Sequence, residues 1–468
     1  MPAPPLASDA LAYDPVAWTG PTDAVDRDRW GWVEVFLAVQ LLWGAALFIP
    51  GAQAYRTPVR ALPYLTSAAA LVYYFRTPTG EPLHGSAKWL MASFGLLTLN
   101  LLHATTHSMA GVAQIVFQIS IAAPIFWMAR AVRSDRRVLR MVWLLFGASF
   151  LSSALGILQV YYPNTFLPPE FSTLGRELNP EIISSLTYHG ADGREIIRPP
   201  GLSDMPGGAA VSAMVTVTLG LAMAFRRGLR PLWRAACAAG ATIGMTALLL
   251  TQVRSLSLVA AASLGVFAAL RFRQGRTTDA VASLAVGAAL VTGAFVWAVA
   301  VGGDALMDRF SGLVNNGVIH TFREQRGMFL TYTLSELLYQ FPLGAGLGRW
   351  GMMQVYFGDP TLWQAPPIHV EIQPTGWLLD GGVALWVAMG GALVMAVRTS
   401  YLVAVHAAGS LQDAATAIVC LQLTVLCLCL TGPVFNTQLG IQFWAVTGAV
   451  LGPLLAAPDR DFGEDSDG

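Results

Sequence analysis

Stretches of largely apolar residues recur along this chain, each near the roughly 20 residues that a helix needs to cross a hydrocarbon core about 30 Å thick. They fall at 31–49, 59–75, 88–104, 110–129, 138–160, 206–225, 232–250, 255–270, 280–301, 375–397, 411–430 and 435–455. The chain is therefore read as an all-α integral membrane protein of about twelve transmembrane helices. A polytopic domain occupies 31–456, preceded by an N-terminal tail at 1–30 and followed by an acidic tail at 457–468. Composition agrees: 54% of residues are hydrophobic and 12% charged, against about 25% charged in a soluble domain. The formal net charge of zero removes any argument for a nucleic-acid partner. The four cysteines, Cys237, Cys420, Cys427 and Cys429, lie inside apolar runs without zinc-type spacing and read as small buried hydrophobes.

Orientation follows from the basic residues at the helix ends. The short connectors Arg130 to Arg140, Arg226 to Arg234 and Arg271 to Arg276 all fall on one side. Taking that side as cytoplasmic puts both termini there and leaves two long segments outside, at about 161–205 and 302–374. Connections in compact proteins are typically about 4–6 residues, so loops of this length point to function. In the second loop, Thr321 to Phe341 reads as an amphipathic helix with Leu330, Leu334, Leu337 and Phe341 on one stripe, stopped by Pro342 and lying on the membrane surface or capping the bundle.

Four features of the outer face can carry chemistry. The first is Arg198-Pro-Pro-Gly201-Leu-Ser-Asp204, leading into a helix whose free N–H groups favour an anion, or else a turn that merely caps the sixth span. The second is Thr251-Gln252-Val253-Arg254-Ser255, a connector so short that Arg254 sits at the membrane edge, facing the bundle as a functional charge or snorkelling to lipid phosphate. The third, Pro342-Leu-Gly344-Ala-Gly346-Leu-Gly348-Arg349-Trp350, can form a backbone nest for phosphate. The fourth is His369 with Glu371, ahead of Trp377, Asp380, Gly381 and Gly382. Histidine accepts a proton near neutral pH and a carboxylate beside it can orient or charge it. No Walker A loop, zinc-protease motif or serine-hydrolase elbow occurs, and no metal or cofactor is expected.

With these motifs in this order, the chain resembles the O-antigen ligase and polymerase superfamily of bacterial membrane glycosyltransferases. The resemblance covers nearly the whole length: about a dozen helices, the long outer loop before the tenth, Arg198-x-x-Gly201, Thr251-x-x-Arg254-Ser255, Pro342-x-Gly344-x-Gly346-x-Gly348, and His369 ahead of Asp380-Gly-Gly382. It implies metal-independent transfer of a glycan from undecaprenyl diphosphate to an acceptor hydroxyl at the periplasmic face of the bacterial inner membrane. Arg198 and Arg254 would hold the diphosphate, with Arg323, Arg326 and Arg349 as further candidates. The implied partners are the carrier-linked glycan, a glycan or lipid acceptor, membrane lipids and other polysaccharide-assembly proteins. His369 takes the general-base role by resemblance, yet Val370 follows it where the family has a small polar residue and Glu371 falls nearer the family's register, so the base is His369 or Glu371. A solute transporter and a non-catalytic envelope scaffold are the competing classes. Against the first, polar features gather at the outer edge instead of the midplane, and no two-fold repeat is visible.

Overall fold

The computed structural model describes residues 30–49, 51–76, 83–167, 187–189, 193, 195–203, 207–315, 317–359, 361 and 366–456. The terminal tails, much of the first outer loop including Asp204, and the Arg254 side chain lie outside the described residues.

Every apolar run lies on a helix, because in lipid only a helix or a closed barrel pairs all its backbone polar groups. The long elements are α1 (Trp32–Leu42), α2 (Arg56–Phe75), α3 (Gly85–Asn100), α4 (Ser108–Ala122), α5 (Pro124–Ala131), α6 (Asp135–Tyr161), α7 (Ala209–Ala224), α8 (Pro231–Leu250), α9 (Arg254–Arg273), α10 (Thr277–Asn315), α11 (Gln373–His406), α12 (Gly409–Cys429) and α13 (Gln438–Ala456). Among the described residues, eight helical segments are long and apolar enough to cross a membrane, with α4 and α5 counting as one. Two shorter apolar helices, Trp32–Phe48 and Ala209–Ala224, accompany them. The protein is thus an all-α, multi-pass membrane protein. The sheet content of the described residues is one antiparallel hairpin of Thr187–His189 and Glu195–Ile197, in which Tyr188 pairs with Ile196.

The main apolar core runs through the bundle, built chiefly from α5, α6, α7, α8, α11, α12 and α13, with residues of α1, α2, α3, α4, α9 and α10 around them. α10 departs from the expected 280–301 span: it continues unbroken to Asn315, for 39 residues in all. At 1.5 Å per residue that is about 58 Å, roughly twice the hydrocarbon thickness. Helical hydrogen bonds do not require apolar side chains, so the helix outlasts the apolar run.

α11, by contrast, is two pieces. Its 34 residues are interrupted at Gly381 (φ −158°) and Gly382 (φ 65°, ψ −161°). The part after the kink, 383–406, extends about 36 Å and by itself suffices to span a bilayer. The part before it is buried, and beside it a second small core forms from Leu337, Ala345, Leu378 and Leu379, with Phe341, Ile368 and Val370 packed on it.

Candidate functional site

This second core positions the site. Residues 366–371 belong to no helix or strand, and side-chain exposure alternates from 368 to 370 before the extended Ile372 (φ −129°, ψ 149°) opens α11. Ile368, Val370 and the fully buried Ile372 take the inner side, leaving His369 and Glu371 together on the outer one. His369 Nε2 lies 2.7 Å from Glu371 Oε1, and the other carboxylate oxygen is ion-paired with Arg326 Nη1. His369 is 74% exposed and Glu371 28%, so the carboxylate sits beneath the imidazole and ties it to the arginine. The Phe329 ring flanks His369 with centroids 6.3 Å apart. Burial pushes the Arg326 guanidinium below its usual pKa, although arginine stays charged at any working pH.

Arg326 comes from a helical stretch over 318–340, as expected from the amphipathic pattern, but two π-helical turns interrupt it at Arg323–Gly327 and Thr333–Leu337. Each wide turn shifts the inward stripe. Thr333 and Leu337 are buried while Leu334, expected on that stripe, is 41% exposed. Thr333 Oγ1 meets Thr375 Oγ1 at 2.6 Å and pins the stretch to the start of α11. Arg323 is exposed one turn before Arg326, and His320 pairs with Glu324 at 3.0 Å in the same stretch.

The glycine-rich segment does not form the phosphate nest expected of it. Gly344, Gly346 and Gly348 adopt φ of 99°, 89° and 73°, and residues 344–350 are buried. The N–H groups between them already have protein acceptors: Ala345 donates to the Leu379 carbonyl (2.6 Å), Leu347 to Thr106 Oγ1 (2.9 Å) and Gly348 to Gln114 Oε1 (2.8 Å). A Cβ on Gly382 would strike the Pro342 carbonyl, and one on Gly376 the Trp350 ring, so the two glycine-bearing motifs dock directly on each other. Trp350 Nε1 donates to Asp380 Oδ1 at 2.6 Å inside this contact, and Asp380 is 1% exposed.

Arg349 is 7% exposed and, among the described residues, donates to backbone carbonyls, Ala345 at 2.8 Å through Nη1 and Pro366 at 3.0 and 3.2 Å through Nη2 and Nε. Its own carbonyl accepts from Ile368 N at 2.8 Å. The residue expected to bind diphosphate is here the brace that sets where His369 and Glu371 lie.

The two arginines that lead the sequence reading sit on other elements. Arg198 ends the hairpin, its carbonyl accepting from Gly207 N at 2.9 Å, and its charge opposes the rise that burial imposes on the Tyr188 phenol pKa. Arg254 opens α9 two residues after Gln252, the non-glycine residue in left-handed conformation (φ 55°) among those described, with Val253 between them. Such an outlier costs about 1–3 kcal/mol and marks a turn that its surroundings enforce.

Sequence reasoning missed the floor of the site, the α3–α4 connector. Thr105 Oγ1 donates to the Ala345 carbonyl (2.6 Å), His107 N to the Leu347 carbonyl (3.1 Å), and His107 Nδ1 accepts from Asp359 N (3.3 Å). The available signal was the polar cluster His103-Ala-Thr-Thr-His107-Ser108 at the end of an apolar run.

Fold and site together define a multi-pass helical membrane protein bearing an Arg–Glu–His cluster on a braced segment beside its helices. No protein-family model matches the chain, and no curated protein matches it.

Proposed function

We propose that the protein is a membrane glycosyltransferase of the O-antigen ligase and polymerase kind, transferring a glycan from an undecaprenyl-diphosphate carrier to an acceptor hydroxyl. In this reading the twelve helical runs all span the membrane, both termini are cytoplasmic, and 302–374 faces the periplasm. The observation that carries the proposal is the Arg326–Glu371–His369 cluster, held on the outer small core by Arg349. The same stretch exposes Met328, Tyr332, Tyr339 and Leu343, apolar surface suited to a polyprenyl carrier.

The cluster supports His369 as the base with Glu371 as its partner. With Nε2 engaged by Glu371, His369 presents Nδ1 outward as the proton acceptor, and Glu371 fixes the tautomer and stabilises the imidazolium. The acceptor oxygen attacks the anomeric carbon as its proton passes to Nδ1. The bond from that carbon to the diphosphate oxygen breaks, and its electron pair leaves with the carrier diphosphate. Arg326 and Arg323 stabilise the growing charge on that leaving group, with Arg198 and Arg254 as further diphosphate ligands. Arg349 acts by positioning.

The test is a deletion strain in which carrier-linked saccharides and surface polysaccharide are extracted and sized together. Accumulated single repeat units on the carrier identify a polymerase, and long carrier-linked chains missing from their acceptor identify a ligase. Unchanged pools of both would overturn the proposal and favour a transporter or a scaffold.

A further inference from the structure

The arginine-rich face of the bundle holds a feature that the proposed transferase site does not use. A cavity of 510 Å³ opens where the α7–α8 turn meets the start of α10, lined by Phe225, Arg227, Arg234, Arg276, Thr277 and Asp279 among others. Its charges divide into two groups. Arg276 is 6% exposed and pairs with Asp279 (2.6 Å) and Asp413 (3.0 Å), while Arg271, fully buried, pairs with the same Asp413 (2.8 Å). These two arginines and two aspartates cancel, forming a neutral wall.

Arg227 and Arg234 remain. Both are exposed, and among the described residues neither makes an ion pair; Arg234 Nη2 donates to the Arg226 carbonyl at 3.2 Å. Two uncompensated guanidinium groups thus line one cavity, together with Thr277 and Thr278 from the first turn of α10, whose N–H groups have no intrahelical acceptor. That donor set matches a phosphate: two charged forks and backbone N–H groups.

Depth decides the source of the phosphate. Leu232 and Trp233 begin α8 beside Arg234 and are 79% and 52% exposed. Tryptophan in this setting marks the headgroup level of a bilayer. We infer that this cavity binds the phosphate headgroup of an anionic lipid, seated between Arg227, Arg234 and the α10 N-terminus. The inference rests on the membrane fold and is independent of the proposed catalytic reaction.

Native mass spectrometry of the full chain, released from detergent with phosphatidic acid or phosphatidylcholine added, tests it. The wild type retains phosphatidic acid in preference to phosphatidylcholine. The Arg227→Gln/Arg234→Gln variant retains it about thirtyfold more weakly, given the roughly fivefold that each basic residue near an anionic surface contributes. Arg230→Gln, an exposed arginine of the same connector outside the cavity lining, behaves as wild type. Because both cavity arginines are exposed, the double variant keeps the wild-type melting temperature in phosphatidylcholine. Equal retention by the double variant, or equal loss in Arg230→Gln, overturns the site in favour of a diffuse basic surface. Displacement of the lipid by inorganic phosphate at equal concentration overturns the lipid assignment and leaves a soluble phosphate as the ligand.

Discussion

His369 and Glu371 act as a pair, and their single substitutions separate the two roles. His369→Ala removes an exposed side chain, so the melting temperature is unchanged, whereas transfer measured with purified protein and carrier-linked glycan falls about 10²–10⁴-fold, the usual worth of a general base. Glu371→Gln keeps the hydrogen bond but not the charge, and loses activity to a smaller extent; a loss exceeding that of His369→Ala makes Glu371 the base. A second residue-scale prediction concerns His84, whose Nδ1 accepts from Ser86 N at 3.0 Å and caps α3. Burial pushes its pKa from the ordinary 6.5 down to about 4. A depressed histidine is neutral in the fold and protonated in the unfolded chain, so its stability contribution is full above pH 6.5 and is lost as pH falls toward 4. The difference amounts to about 3 kcal/mol. His84→Asn retains a capping acceptor, and melting curves between pH 7 and 5 flatten relative to the wild type.

At the scale of elements, the docked motifs make graded predictions. Gly351→Ala meets only Asn436 Nδ2 at 3.9 Å, so its cost is the left-handed conformation alone (φ 65°), about 1–2 kcal/mol. Gly348→Ala adds a clash with Ala110 and Gly382→Ala one with the Pro342 carbonyl, so both melt well below Gly351→Ala in detergent. Trp350→Phe withdraws the outer indole ring from Gly376 and strips Asp380 of its indole donor, the latter at about 1–3 kcal/mol for a buried acceptor left short. If Trp350→Phe melts with the wild type, the Asp380 contact contributes nothing. These element-level partners were partly legible. The alternation Ile368, His369, Val370, Glu371, Ile372 announces by itself that the histidine and carboxylate share one side. Pro342 to Trp350 reads as a loop, but nothing local says that its N–H groups face Leu379, Thr106 and Gln114 instead of a phosphate.

Across the whole molecule, charge is sorted to the ends of the helices. Glu34 is met by Arg137 and Arg140 at 3.1 Å each, and Asp413 by Arg271 and Arg276. Both clusters join elements distant in sequence at the arginine-rich face, while the Arg326–Glu371–His369 cluster belongs to the loop that follows α10. In the twelve-span arrangement these faces are separated by the bilayer. Arg230→Cys and Tyr339→Cys, each in a Cys427→Ser background and both at exposed positions, label with a membrane-impermeant thiol reagent from opposite sides of oriented vesicles. Labelling from the same side would overturn that topology.

Apolar run length and backbone hydrogen-bond demand were enough to determine helices, their order and the basic connectors, because those depend on local composition meeting a uniform solvent. The sequence named Glu371 as a carboxylate able to orient His369, and the 2.7 Å contact between them is what the structure adds. Where α10 ends, how the π-helical turns re-aim the 318–340 stretch, and the conversion of Arg349 from an expected ligand into a brace were decided by tertiary structure. Each depends on which acceptor or void a distant segment presents, as Pro366 does to Arg349 and Gly382 does to Pro342, and such complementarity has no signature in the residues of one segment alone.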